Sequence, residues 1–295
     1  MSWKPDEQGE IPFTVDGTVY STWYTVFGDL KHRKNPPLVV LHGGPGLSHD
    51  YLLPLSDLSS SRPVIFYDQL GNARSTHVHD KPQQFWTIDL FIDELVNLLR
   101  HFNIEDEFDL LGHSWGGMLA LEYEIRRHPK GFRRLVLTNS LASMEMWDRS
   151  NAELAKSFPE WVQEGLAIGM KDLKKFGPAA KEFRKKHGCR LNTFPEEYVR
   201  SLDYIFGPER SDPTVTVAMF STGLKQWNII EKIPQVTIPV LLINGRYDVS
   251  QDFVNQPIFH GLSKVKWTTF EESSHTPFWE ERDKYMQRLD EFLNY

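Results

Sequence analysis

Four short apolar runs punctuate the first half of the chain. Residues 37–41 (PLVVL) run into a Gly-rich turn, 63–67 (PVIFY) end at Asp68, 108–111 (FDLL) end at Gly112, and 134–138 (RLVLT) form the fourth. Runs that are apolar on both faces are what parallel strands need when layers cover them on both sides. Residues 17–26 (GTVYSTWYTV) read as a further strand. Between the runs the period changes. From Thr87 onward apolar residues recur at Ile88, Phe91, Ile92, Leu95, Leu98, Leu99 and Phe102, one face of a helix, with Thr87 placed to cap it. Residues 115–128 read as a second helix that Pro129 stops. Strand–helix–strand alternation implies a right-handed, mainly parallel sheet.

Beyond residue 142 the pattern shifts. Residues 143–230 are rich in helix formers, Lys, Glu and aromatics, without a clear strand run. Strand signals resume at 238–244 (IPVLLIN) and 264–270 (KVKWTTF), and a helix over 278–293 closes the chain. The expected architecture is α/β: a core of residues 1–142 and 231–295, interrupted by a helical cap over 143–230. Such an insertion lies over the C-terminal edge of the sheet, where open α/β sheets bind ligands.

Composition narrows the function classes. With 40% hydrophobic and 13% aromatic residues, the 295-residue chain can bury a sizeable core. The net charge is −7 and no basic block stands out, so neither nucleic acid nor an anionic membrane is an expected partner. No run approaches the roughly 18 apolar residues of a bilayer span. The first residues, MSWKPDEQGEIPF, lack the apolar stretch of a signal peptide, and the lone Cys189 excludes an internal disulfide. These features lead to the expectation of a cytoplasmic protein. No feature of the sequence sets an oligomeric state.

The chemistry sits at the ends of the predicted strands. Gly112-His113-Ser114-Trp115-Gly116 fits G-x-S-x-G. Alone the pattern is weak, and a serine in a Gly-rich turn is usually a surface group. Here a strand precedes it and a helix follows, the context of a nucleophile elbow in an α/β hydrolase. In that context Ser114 is the expected nucleophile, and flanking glycines avoid collisions around a strained turn. Leu41-His42-Gly43-Gly44-Pro45-Gly46 also follows a strand. Acyl-transfer chemistry needs backbone N–H groups aimed at the developing oxyanion, and Trp115 and Gly44 are the expected donors. His42 is expected to brace that turn. Asp248 falls in the loop after a late strand and His275 just after the last. A lone acid or histidine on a loop is ordinarily solvated, but the order Ser, Asp, His is the one this fold uses. A serine at the elbow points to attack on an ester or amide carbonyl through an acyl-enzyme. No cofactor is implied. His187 and Cys189 lack the further ligands of a metal site, and no metal is expected.

The sequence resembles the proline iminopeptidase family. The resemblance rests on His42-Gly43-Gly44-Pro45-Gly46, Tyr67-Asp68-Gln69-Leu70-Gly71-Asn72-Ala73-Arg74-Ser75, Gly112-His113-Ser114-Trp115-Gly116-Gly117 and Gly245-Arg246-Tyr247-Asp248. It covers nearly the whole chain and weakens in the insertion. It implies the triad Ser114, Asp248 and His275, oxyanion donors Gly44 and Trp115, and a cap that selects small N-terminal residues. It also implies acids that hold the substrate amine. In some members one directly follows the triad aspartate, where this chain has Val249, and residues 214–222 (TVTVAMFST) carry no acid. Glu145, Glu196, Glu197 and Glu209 are the remaining candidates.

The leading expectation is a serine hydrolase of a small-molecule or short-peptide substrate, an aminopeptidase or amidase. The alternative is an ester or lactone hydrolase of a neutral metabolite. A binding protein without catalysis has no need of all three triad residues. If the amine anchor is lost, masking the substrate amine should cost little.

Overall fold

The structure, a computed structural model, describes residues 3–208 and 211–294. Among them, eight strands form one sheet: β1 (Glu7–Val15), β2 (Thr18–Phe27), β3 (Leu38–Leu41), β4 (Val64–Asp68), β5 (Phe108–His113), β6 (Phe132–Thr138), β7 (Val240–Gly245) and β8 (Val265–Phe270). Their order is β1-β2-β4-β3-β5-β6-β7-β8. The first two strands form an antiparallel edge, and β3 to β8 run parallel.

The apolar runs are two-sided because alternate residues serve two cores. Val39, Leu41, Ile65 and Leu110 pack with α1 (Ile88–His101) and α2 (Trp115–Arg127). Leu38, Val40, Val64, Phe66 and Leu111 pack on the opposite face with a 3-10 helix (Asp50–Ser60) and the C-terminal helix. Thr87 caps α1 as expected, its Oγ1 accepting from Leu90 N–H at 3.1 Å. His128, in the left-handed region (φ 43°), ends α2 just before Pro129.

Two features depart from the sequence expectation. β1 was not foreseen, because Glu7, Gln8, Gly9, Glu10 and Pro12 mask its alternation. Only Ile11 and Phe13 are buried, and pairing with β2 supplies the rest of its stability. The closing helix is two helices, because the chain leaves helical geometry at Glu281 (φ −129°, ψ 49°).

Among the described residues, five α-helices run between β6 and β7: α3 (Met144–Ala155), α4 (Glu160–Ile168), α5 (Leu173–His187), α6 (Glu196–Phe206) and α7 (Thr214–Ser221). The helices α8 (Asp252–Gly261), α9 (Pro277–Glu280) and α10 (Arg282–Leu293) complete the chain. No helix among the described residues is long and apolar enough to cross a membrane. The strand order reverses at β3, whose neighbours are β4 on one side and β5 on the other. A crevice opens at such a switch point, outside the carboxyl ends of the strands. The turn after β3 and the turn after β5 border it, since Leu41 pairs with Gly112.

Candidate active site

Ser114 stands between β5 and α2 at φ 54°, ψ −118°. A non-glycine residue persists there only if its surroundings hold it. The surroundings leave no room for side chains at neighbouring positions. A Cβ on Gly116 would lie 2.1 Å from Leu41 O, and one on Gly112 would lie 2.3 Å from Gly116 O. Helix α2 therefore starts in backbone contact with β3 and β5, and Ser114 is left half-buried at the carboxyl end of β5.

Asp248 and His275 come together across the ends of β7 and β8. His275 Nδ1 lies 2.7 Å from Asp248 Oδ1, with the carboxylate fully buried and the imidazole one-fifth exposed. Asn139, after β6, was not singled out from the sequence. Its Nδ2 donates to Asp248 Oδ2 at 2.7 Å and to Ser274 O at 3.0 Å. One side chain thus fixes both the acid and the residue preceding the histidine. His187, at the end of α5, lies 2.6 Å through Nδ1 from Tyr247 O, beside the acid.

The elbow is linked to the histidine loop through His113. Its ring packs 4.5 Å from that of His275, and its Nε2–H donates to His275 O at 2.7 Å. Nδ1 then accepts from Tyr51 Oη at 2.7 Å. Tyr51 Oη in turn accepts from Gly43 N–H at 2.7 Å. Burial and the neighbouring His275 hold His113 well below the ordinary histidine range, so it remains neutral in this relay.

The turn after β3 is braced from its other side by His42, as expected. Its Nδ1–H donates to Gly43 O at 2.9 Å and its Nε2 accepts from Gln69 N–H at 3.0 Å. Burial pushes its pKa down to about 4, consistent with that single tautomer. Gln69 Oε1 also accepts from the Trp115 indole at 2.8 Å. Gly43 is buried, whereas Gly44 is half-buried at φ 113°.

The rest of the DQLGNARS segment has a structural task. Arg74 grips Asp50 with two bonds of 2.8 Å and reaches Asp68 at 3.2 Å. Asp68 also holds His49 Nδ1 at 2.8 Å. Arg200 and Ser201 of α6 join this cluster through Asp50 and Ser48, at 3.0 Å each. Thr216 of α7 donates to Pro45 O at 2.6 Å. The inserted helices are therefore docked on the loops that border the crevice.

The acids considered for amine binding separate. Glu145 and Glu196 are exposed. Glu197 accepts from Trp3 Nε1 at 2.9 Å, and Glu209 lies outside the described residues. Val249 is buried, and the inner face of α7 presents Val215, Ala218 and Met219. Sequence reasoning passed over Asp148. It follows Trp147, whose ring lies 5.8 Å from that of His275. Its carboxylate is open to solvent and has no hydrogen-bond or ion-pair partner among the described residues, yet surrounding protein pushes its pKa up.

The fold and this arrangement define an α/β hydrolase, and a family model described as the alpha/beta hydrolase fold matches residues 36–282. A proline iminopeptidase of Saccharolobus solfataricus is 33% identical, over 94% of this chain and 89% of that protein. Among solved structures, VinJ is 37% identical with a TM-score of 0.90 over 99% of both chains. The proline iminopeptidase of Mycobacterium smegmatis is 32% identical with a TM-score of 0.83 over 98% of both. The chain belongs to the proline iminopeptidase family, and it is an aminopeptidase-like serine hydrolase.

Proposed function

We propose that the protein hydrolyses the amide bond after a small N-terminal residue, using Ser114 as nucleophile, His275 as base and Asp248 as the acid that orients it. The observation that carries this reading is the 2.7 Å contact of His275 Nδ1 with a buried, Asn139-held carboxylate, joined through His113 to the strained elbow that carries Ser114. His275 Nε2 takes the serine proton as Oγ attacks the carbonyl, and Asp248 stabilises the imidazolium. The same proton then passes to the leaving amine, and water repeats the sequence on the acyl-enzyme. The tetrahedral oxyanion is met by Trp115 N–H, a first-turn donor without an intrahelical acceptor, and by Gly44 N–H. Gly43 is not the second donor, because its N–H is committed to Tyr51. The inserted helices form the cap over this site.

Asp148 is the carboxylate that receives the substrate ammonium. A desolvated acid with no cation beside it is relieved when one binds, and a charge-assisted contact contributes roughly 1.5–3 kcal/mol. The second reading, a neutral ester or lactone substrate, is favoured by Val249 and the acid-free α7. A kinetic comparison of a prolyl arylamide, its N-acetyl derivative and a neutral ester of similar size separates the two. A preference for the free amine of tenfold or more that Asp148→Asn abolishes supports the aminopeptidase reading. Equal or faster turnover of the acetylated or ester substrate overturns it in favour of the second.

A further inference from the structure

The loop after β4 and the segment entering α7 meet at three potential ligands. His77 and His79 follow β4, and Asp212 precedes α7. One donor atom from each lies within 4.8 Å of the others. His77 Nδ1 is 2.5 Å from Asp212 Oδ2, and His79 Nδ1 is 3.7 Å from the same oxygen. The two rings are near-parallel, with centroids 6.0 Å apart.

The pairing has an unusual feature. His77 Nε2 lies 2.9 Å from Ala73 O, so that nitrogen carries the hydrogen. Nδ1 then faces a carboxylate oxygen. Two lone pairs cannot meet at that distance without a cation between them. A proton can fill the gap, and so can a metal ion bound through Nδ1. The surroundings are arranged as they are around metal ligands. A histidine that donates its distal N–H to a backbone carbonyl has its tautomer and ring orientation fixed. Asp212 Oδ1 is occupied by Thr214 N–H at 3.0 Å, which leaves Oδ2 turned to the histidines. The Asp212 backbone is held by its N–H bond to Tyr204 O at 2.8 Å.

We propose that His77, His79 and Asp212 form a binding site for one divalent transition-metal ion, of the zinc class, that bridges the core to the inserted helices. Two imidazoles and a carboxylate suit zinc, copper or nickel better than magnesium or calcium. Ligands at about 2.0–2.1 Å from a tetrahedral ion lie about 3.3 Å apart. The His77–Asp212 gap must therefore widen by under 1 Å and the His79–Asp212 gap close by less. His79 is two-thirds exposed, so its side chain is free to swing in. The fourth position is left for water. None of the three is Ser114, His275 or Asp248, and they come from two segments 135 positions apart, so the ion would act as a clasp between two parts of the fold.

The test uses the full chain, stripped with a chelator, with zinc chloride as ligand. Competition against a chromophoric indicator should show one equivalent bound. His77→Ala and His79→Ala should each weaken it at least tenfold, and magnesium chloride should not compete. Cobalt substitution should give the visible absorption of a four-coordinate ion in the wild type and not in His79→Ala. Zinc should raise the melting temperature of the wild type and leave that of His79→Ala unchanged. His79 makes little structural contact, so its variant should fold and retain basal turnover. Absence of one-equivalent binding overturns the proposal, as does binding that both histidine variants retain.

Discussion

The relay from the turn after β3, proposed as the oxyanion turn, to the loop of His275 makes Tyr51→Phe an informative substitution. The ring stays, so packing against His113, Tyr198 and Phe278 is preserved. The hydroxyl goes, and two buried groups lose their partner: Gly43 N–H and His113 Nδ1. A buried polar group left unsatisfied costs about 1–3 kcal/mol. Two of them, partly relaxed, should destabilise the fold by about 2–4 kcal/mol, or about 4–8 °C in melting temperature for a chain of this size. Turnover should fall as well, because Gly43 carries Gly44 and a looser turn aims its N–H less well. A loss of about tenfold to a hundredfold in kcat, with KM nearly constant, corresponds to about 1.4–2.7 kcal/mol of transition-state stabilisation. The assays are thermal melting by circular dichroism and steady-state kinetics on an arylamide, well below the melting range. A variant that melts within 1 °C of wild type and keeps its kcat would refute the relay.

Asp248→Asn should lower kcat by about 10⁴ with little change in KM, because Asn139 Nδ2 holds the new amide oxygen and turns its NH₂ toward His275 Nδ1; wild-type kinetics would refute the assignment. Glu94, fully buried in α1, accepts from Thr22 Oγ1 at 2.5 Å and Leu70 N–H at 2.9 Å, and burial raises its pKa to about 7. The folded chain keeps this proton above the pH at which the unfolded chain releases it. The stability it contributes is therefore present below about pH 4.5 and lost as pH rises through 7, by up to about 3 kcal/mol. Denaturant melts across that window should slope downward in wild type and less in Glu94→Gln; parallel slopes would contradict this. Asp148→Asn should raise KM for a free-amine arylamide tenfold or more and leave that for its N-acetyl derivative unchanged; equal effects on both would remove Asp148 from amine recognition.

The parallel strands, both core helices and the elbow were legible because each carries a local signature. Periodicity marks α1, and Gly112 and Gly116 flank Ser114 at fixed spacing. The contact of Asp248 with His275 was legible from the positions of both residues after strands. What escaped depends on long-range partners. β1 is polar along most of its length and becomes a strand only against β2. Asn139 reaches Asp248 across 109 positions, and Tyr51 reaches His113 across 62; a single asparagine or tyrosine announces neither contact. Asp148, proposed for the substrate amine, is a charged residue on a helix, a pattern that reads as solvated surface. The DQLGNARS segment was recognised as a motif, but its purpose, joining Gln69 to His42 of the turn after β3 and Arg74 to the Asp50 cluster, appears only in three dimensions.

The central claim is that Ser114 is the nucleophile of an aminopeptidase-like hydrolase. Treating the native protein with a fluorophosphonate, then measuring intact mass and mapping the modified peptide, tests it most directly. One phosphonyl group per chain is expected, on Ser114, with loss of arylamide hydrolysis in step with labelling, and no labelling in Ser114→Ala. Activity that survives complete modification of Ser114, or full turnover by Ser114→Ala, would contradict it.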